Sequence, residues 1–179
     1  MTTFMTLVRK LWLVGGWAPL LVFALHVVAS RGLNAYVRFP PTDIPMHFAG
    51  GVAIAFFISG CFRALPRDTD RSRRLVVLDA VLEGVLVGSL ATTAALLWEF
   101  AEFSIDRLVG TNIQVSLNNT MQDLALGMLG ALVLVIIRAR QLRVAGADIR
   151  EVASEWMSGE LKLAAPAGVT TSGGPRVSG

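Results

Sequence analysis

Charge is what this chain has least of. Only 16% of its 179 residues are Asp, Glu, Lys or Arg, against 54% hydrophobic, with a mean hydropathy of +0.60. That balance excludes an ordinary soluble domain. Cysteine is nearly absent: Cys61 stands alone, so neither an intramolecular disulfide nor a cysteine-rich metal site can form, and a small apolar filler is its expected role. Basic and aromatic residues are not interleaved on any soluble surface. The pI near 9.7 therefore carries no nucleic-acid signature, and no nucleic acid is expected as a partner. No internal repeat is visible by eye.

Long apolar runs are what the chain has instead. Four stretches satisfy the length of a membrane helix: Leu11 to Ala29, Ile44 to Phe62, Leu75 to Leu97 and Met121 to Ile137. Val27-Val28-Ala29 faintly resembles a leader cleavage site, but the first run reads as a retained span. Positive charge is uneven. Arg63, Arg67, Arg71, Arg73 and Arg74 lie between the second and third runs, Arg9 and Lys10 precede the first, and Arg138, Arg140 and Arg143 follow the fourth. The other connections hold only Arg31, Arg38 and Arg107. Positive-inside reasoning puts both termini in the cytoplasm of a bacterial inner membrane. The expected fold class is all-α: a polytopic transmembrane bundle over residues 1–143, a cytoplasmic amphipathic segment over 144–163 and a disordered tail over 164–179. Membrane lipids surround such a bundle, and an oligomer or a membrane partner is compatible with it.

Local signals refine the spans. Gly15, Gly16 and Pro19 loosen or kink the first. Thr42 or Asp43 is placed to cap the second, and Asn118-Asn119-Thr120 the fourth. Gly50, Gly51, Gly127, Gly130 and Ala131 permit close helix contact.

The apolar runs carry a few conspicuous polar residues. Glu99, Glu102 and Asp106 fall at i, i+3 and i+7 and share one helix face. An ionisable group at membrane depth costs roughly 2.5–3.5 kcal/mol at a helix centre, so each demands a reason. With the topology above, Asp43 and His47, then Glu99, Glu102 and Asp106, then Asn118, Asn119, Thr120 and Asp123 all reach the extracytoplasmic side at similar depth. Carboxylates crowded there require protonation, pairing with Arg38, Arg107 or His47, or a bound cation. One imidazole among carboxylates suits a hard or borderline divalent ion. A carboxylate beside His47 equally suits general-base chemistry.

Simpler readings stand beside these. Asp43 serves as a helix cap, Asp123 as the partner of Thr120, and Glu99 with Glu102 as a network to Arg107 or Asn119. His26 has no acidic neighbour in its span and reads as structural, Trp98 as part of an aromatic belt, and Asp79 with Glu83 as partners of the arginine loop.

Asp43-Ile44-Pro45-Met46-His47-Phe48, followed by Gly50, resembles the Asp-Lys-x-x-His-Phe opening of VanZ-like membrane proteins. Trp98-Glu99-Phe100-Ala101-Glu102-Phe103, with Asp106 and then Asn119-Thr120-Met121-Gln122-Asp123-Leu124, is similar to the YjdF-like family of inner-membrane proteins. The resemblance covers roughly residues 40–135. It implies a small polytopic bacterial membrane protein and, through the VanZ-like relatives, a link to envelope integrity or glycopeptide tolerance. Ile44 replaces the lysine of that pattern, and Asn119 stands where an aspartate is common.

The reading that follows is an envelope protein binding or processing a polar or lipid-linked ligand at an outward-facing site. His47, Glu99, Glu102 and Asp123 form its expected core, as catalytic groups and as ligands of a divalent metal ion, with Asp43, Asp106 and Asn119 orienting. The alternatives are a proton- or metal-coupled small transporter and a non-catalytic assembly partner. Between Glu83 and Glu99 the third run offers only Ser89, Thr92 and Thr93, which disfavours a through-pathway.

Overall fold

The computed structural model describes residues 2–65 and 73–144, and every element among them is helical. Helix α1 (Thr2–Leu11) runs through a π-helical turn (Trp12–Gly16) into α2 (Trp17–Val27). A second π-turn (Val28–Gly32), the short α3 (Ala35–Arg38) and a 3-10 turn (Pro40–Thr42) lead to α4 (Asp43–Arg63). Helices α5 (Arg73–Val109) and α6 (Leu117–Val144) complete the chain order. Four stretches, Thr3–Gly32, Pro40–Arg63, Leu78–Val109 and Leu117–Gln141, are long and apolar enough to cross a membrane. The amphipathic segment and tail expected beyond Val144 lie outside the described residues.

The first span is broken where the sequence loses side-chain constraint. Gly15 takes φ +109°, a backbone conformation that a Cβ opposes, and its neighbours widen into a π-turn. The second and fourth spans, by contrast, make the most extensive helix contact in the fold. They can do so because glycine lies at the crossing. A Cβ on Gly51 would collide with the Gly127 backbone, and one on Gly130 with the Phe48 backbone. Bulky side chains such as Leu97 and Leu132 point outward, as a lipid-facing surface requires.

Each of the three packed helices carries one stripe repeating every four residues. On α4 it reads Asp43, His47, Gly51, Ala55, Ser59, Arg63; on α5, Glu83, Val87, Ala91, Ala95, Glu99; on α6, Asn119, Asp123, Gly127, Ala131. Ala55, Val87, Ala91, Ala131 and Leu134 meet in a buried apolar core. Polar groups are thereby confined to the two ends of the stripes. Helix α5 has 37 residues and a length of ~55 Å, against a hydrocarbon core of ~30 Å. Its last turns, which hold Glu99 and Glu102, therefore extend toward one end of that core.

The caps differ from the sequence expectation in an informative way. Ser116 caps the fourth span: its Oγ accepts the Asn119 N–H at 3.2 Å, two residues ahead of the Asn118-Asn119-Thr120 run. Thr42 donates its hydroxyl back to the Phe39 carbonyl at 2.8 Å, and no side chain caps α4. Asp43, Asn119 and Asp123 are released from capping and turn toward one another.

Candidate functional site

His47 stands at the centre, offering a different nitrogen to each side. Its Nε2 lies 3.3 Å from Asp43 Oδ1, one turn earlier on α4, and 3.8 Å from Asp123 Oδ2 on α6. Its Nδ1 lies 3.8 Å from Glu99 Oε1 on α5. Asn119 holds the two aspartates together, its Nδ2 donating to Asp43 Oδ2 at 3.0 Å and to Asp123 Oδ2 at 2.8 Å. An aspartate at position 119 would repel both carboxylates where the asparagine bridges them.

Asp43, His47 and Asp123 each present a ligand atom within 4.8 Å of the others, close enough to converge on one metal ion. Glu99 faces the opposite edge of the imidazole. That is the place of the carboxylate that receives the remaining N–H of a metal-bound histidine and fixes its tautomer. Glu102 sits farther along α5 and accepts the Trp98 indole N–H at 2.8 Å. The structure thus groups Asp43, rather than Glu99 or Glu102, with the ligand atoms of His47 and Asp123. Asp106 turns away to order the α5–α6 connection, accepting bonds from Thr111 Oγ1 and the Ile113 and Gln114 N–H groups at 2.7–2.8 Å.

The electrostatics are unbalanced. Glu99 and Asp123 are 4% and 3% exposed. Glu99 Oε1 and Asp123 Oδ1 are buried without a hydrogen-bond donor, although Gln114 approaches the other Glu99 oxygen at 3.4 Å. Among the described residues no arginine or lysine pairs with these carboxylates. An orphaned buried polar oxygen costs about 1–3 kcal/mol of unrecovered desolvation, more if it is charged.

Several contributors escaped the sequence reading. His26 is not a bystander: its Nδ1 lies 2.8 Å from the Tyr36 hydroxyl, and its ring meets Trp98 edge-on at 5.3 Å. Tyr36 lies outside the spans, and burial, reinforced by Asp43, Glu102 and Asp123, pushes its phenol up to about 12. Trp98 is a hydrogen-bond donor within the cluster as well as an aromatic surface. The signal for His26 was invisible because the π-turns rotate the first span out of simple helical phase.

A second polar cluster occupies the other end of the stripes. Ser59 Oγ donates to Glu83 Oε1 at 2.6 Å, and Arg63 Nε approaches the same oxygen at 3.7 Å. Arg63 is the member of the arginine-rich connection that meets Glu83 among the described residues.

Fold and site together define a multi-span helical membrane protein with a buried histidine–carboxylate cluster between three of its helices. Within that class the chain belongs to the family described as predicted membrane protein (DUF2238), whose family model matches residues 5–144. It is also similar to an uncharacterized protein of Thermotoga maritima, 34% identical over 107 residues. The aligned segment covers 59% of this chain and 52% of that protein, so the match spans about half the relative's length. No solved structure matches.

Proposed function

We propose that this is a cell-envelope protein of the bacterial inner membrane whose His47 cluster faces outward, holds a divalent cation and through it binds or processes a polar or lipid-linked ligand. The observation that carries the reading is the convergence of Asp43, His47 and Asp123 within 4.8 Å beside buried carboxylate oxygens that lack donors. Two carboxylates and one imidazole supply the mixed oxygen and nitrogen donors of a hard or borderline divalent ion. Three protein ligands leave coordination positions open for water or for a ligand's oxygen, where the ion acts as a Lewis acid. Glu99 and Asn119 orient the ligating groups, and Glu102 with Trp98 closes the cluster toward the first span. The arginine distribution supports the outward orientation, and the likeness to VanZ-like and YjdF-like sequences supports an envelope role.

The transporter alternative requires polar groups between the two clusters. The stripes offer Ala55, Val87, Ala91 and Ala131 there, all buried. The assembly-partner alternative requires a self-satisfied polar network, which the orphaned oxygens oppose.

Metal analysis of the purified protein tests the proposal. Near-stoichiometric divalent ion is expected in the native chain and its loss in His47→Ala and Asp123→Asn. A folded native protein that takes up no divalent ion at micromolar concentrations would sink the reading.

A further inference from the structure

Beside the His47 cluster lies a cavity of about 130 Å³ between the first, second and third spans. It is built by an absence: a Cβ added to Gly50 would meet no atom within 4 Å. The gap opens toward the outside of the bundle, so a chain from the surrounding lipid can enter it. Its deeper wall is apolar, with Pro19, Val22, Ile54 and Ala94, while His26 and His47 stand at the shallower end. The volume equals about four waters at ~30 Å³ each, but a water needs two to four polar partners, which the deeper wall does not provide. An apolar chain with a polar head matches both ends.

We propose that this cavity receives the first few methylenes of one apolar chain of an anionic amphiphile, the rest of the chain lying in the surrounding lipid and the headgroup between the His47 cation site and His26. The assignment of the head rests on the cation reading above: without a cation the carboxylates repel an anion, and with one they present it. His26 is not among the converging ligand atoms, so its ring is available to the head. The Tyr36 hydroxyl, 2.8 Å from His26 Nδ1, holds its proton to high pH and can donate to that nitrogen, which leaves Nε2–H directed elsewhere. Phe23 packs edge-on against Trp98 at 6.0 Å and lines the cavity with it. The indole is thus a built-in reporter of a chain seated there.

The test uses the full chain in nanodiscs with Trp12, Trp17 and Trp156 changed to Phe, leaving Trp98 as the fluorophore. The probes are phosphatidic acid and diacylglycerol carrying the same dibrominated chains, which quench an indole on contact. Saturable quenching by the phosphatidic acid is expected, about tenfold tighter than by the diacylglycerol. Gly50→Leu, whose Cβ would meet no atom within 4 Å and whose side chain extends into the cavity, is expected to abolish the saturable part while melting temperature holds and the metal counted on the same sample is retained. His26→Ala is expected to weaken the phosphatidic acid and leave the diacylglycerol unchanged. The inference is overturned if metal-loaded protein shows no saturable quenching, no preference for the phosphate head, or the same quenching after Gly50→Leu. Metal counted on the same sample reports on the cation reading separately, so failure of one is distinguishable from failure of the other.

Discussion

At the Arg63 end of α4, Glu83 is buried yet accepts a bond from Ser59 and faces a guanidinium. At the Asp43 end, Glu99 and Asp123 are buried as deeply, and each keeps an oxygen without a donor. Both clusters draw on α4 and α5, and both take carboxylates out of water. The first compensates its charge from within the chain, as a structural anchor does. The second sets one imidazole against three carboxylates and leaves two buried oxygens without donors beside a cavity, the imbalance on which the proposed cation site rests.

The largest effect is expected where both clusters share a foundation. Gly51→Val forces α4 off the Gly127 backbone and should destabilise the bundle by about 3 kcal/mol or more, read as loss of the monodisperse folded species in detergent. Next comes the compensated cluster. Glu83→Ala strands the Ser59 hydroxyl and removes the partner of Arg63, for a loss of about 1–3 kcal/mol by thermal unfolding, with metal content unchanged. The uncompensated cluster should answer with the opposite pattern. Glu99→Gln removes a buried charge without a full set of donors, so stability of the metal-free protein should hold or rise, while divalent-ion affinity falls about 10–100-fold in a calorimetric titration. Equal destabilisation by the Glu83 and Glu99 changes would erase the distinction.

The smallest effect is optical. Tyr36 is the chain's single tyrosine, so its phenolate absorbance reports one group. Its midpoint should lie near 12 rather than 10, and Glu102→Gln should bring it down by a small step, because burial is the larger cause and the carboxylates add to it. The sign for stability follows: the native phenol keeps its proton where the unfolded one has lost it, so this contribution is complete below pH 10 and declines as pH rises toward 12.

The helices were legible because apolar runs of this length have few alternatives, and the convergence of His47 with Asp123 followed from charge topology and four-residue spacing. What spacing did not reveal was which edge of the imidazole each carboxylate meets. That depends on helix rotation, fixed by the Gly51–Gly127 and Gly130–Phe48 contacts. It separates Asp43 and Asp123 from Glu99 and gives Glu102 to Trp98. Asp106 shares the helical face of Glu99 in sequence, yet the amide groups of residues 113 and 114 draw it into the connection. His26 joins Trp98 from a span whose π-turns spoil any periodic reading, and Tyr36 reaches His26 from the short α3 that follows.

The four-residue stripes have one further consequence. Because an α-helix turns 100° per residue, a single residue inserted into α4 between Gly51 and Ser59 would swing Arg63 and Ser59 about a quarter-turn away from Glu83 whenever His47 stayed in place. Substitutions within the apolar stretch can be absorbed locally, but a change of length there cannot. The two ends of this protein are held in phase, like teeth cut on a common shaft, and the alanine- and glycine-lined middle is the part that keeps the timing.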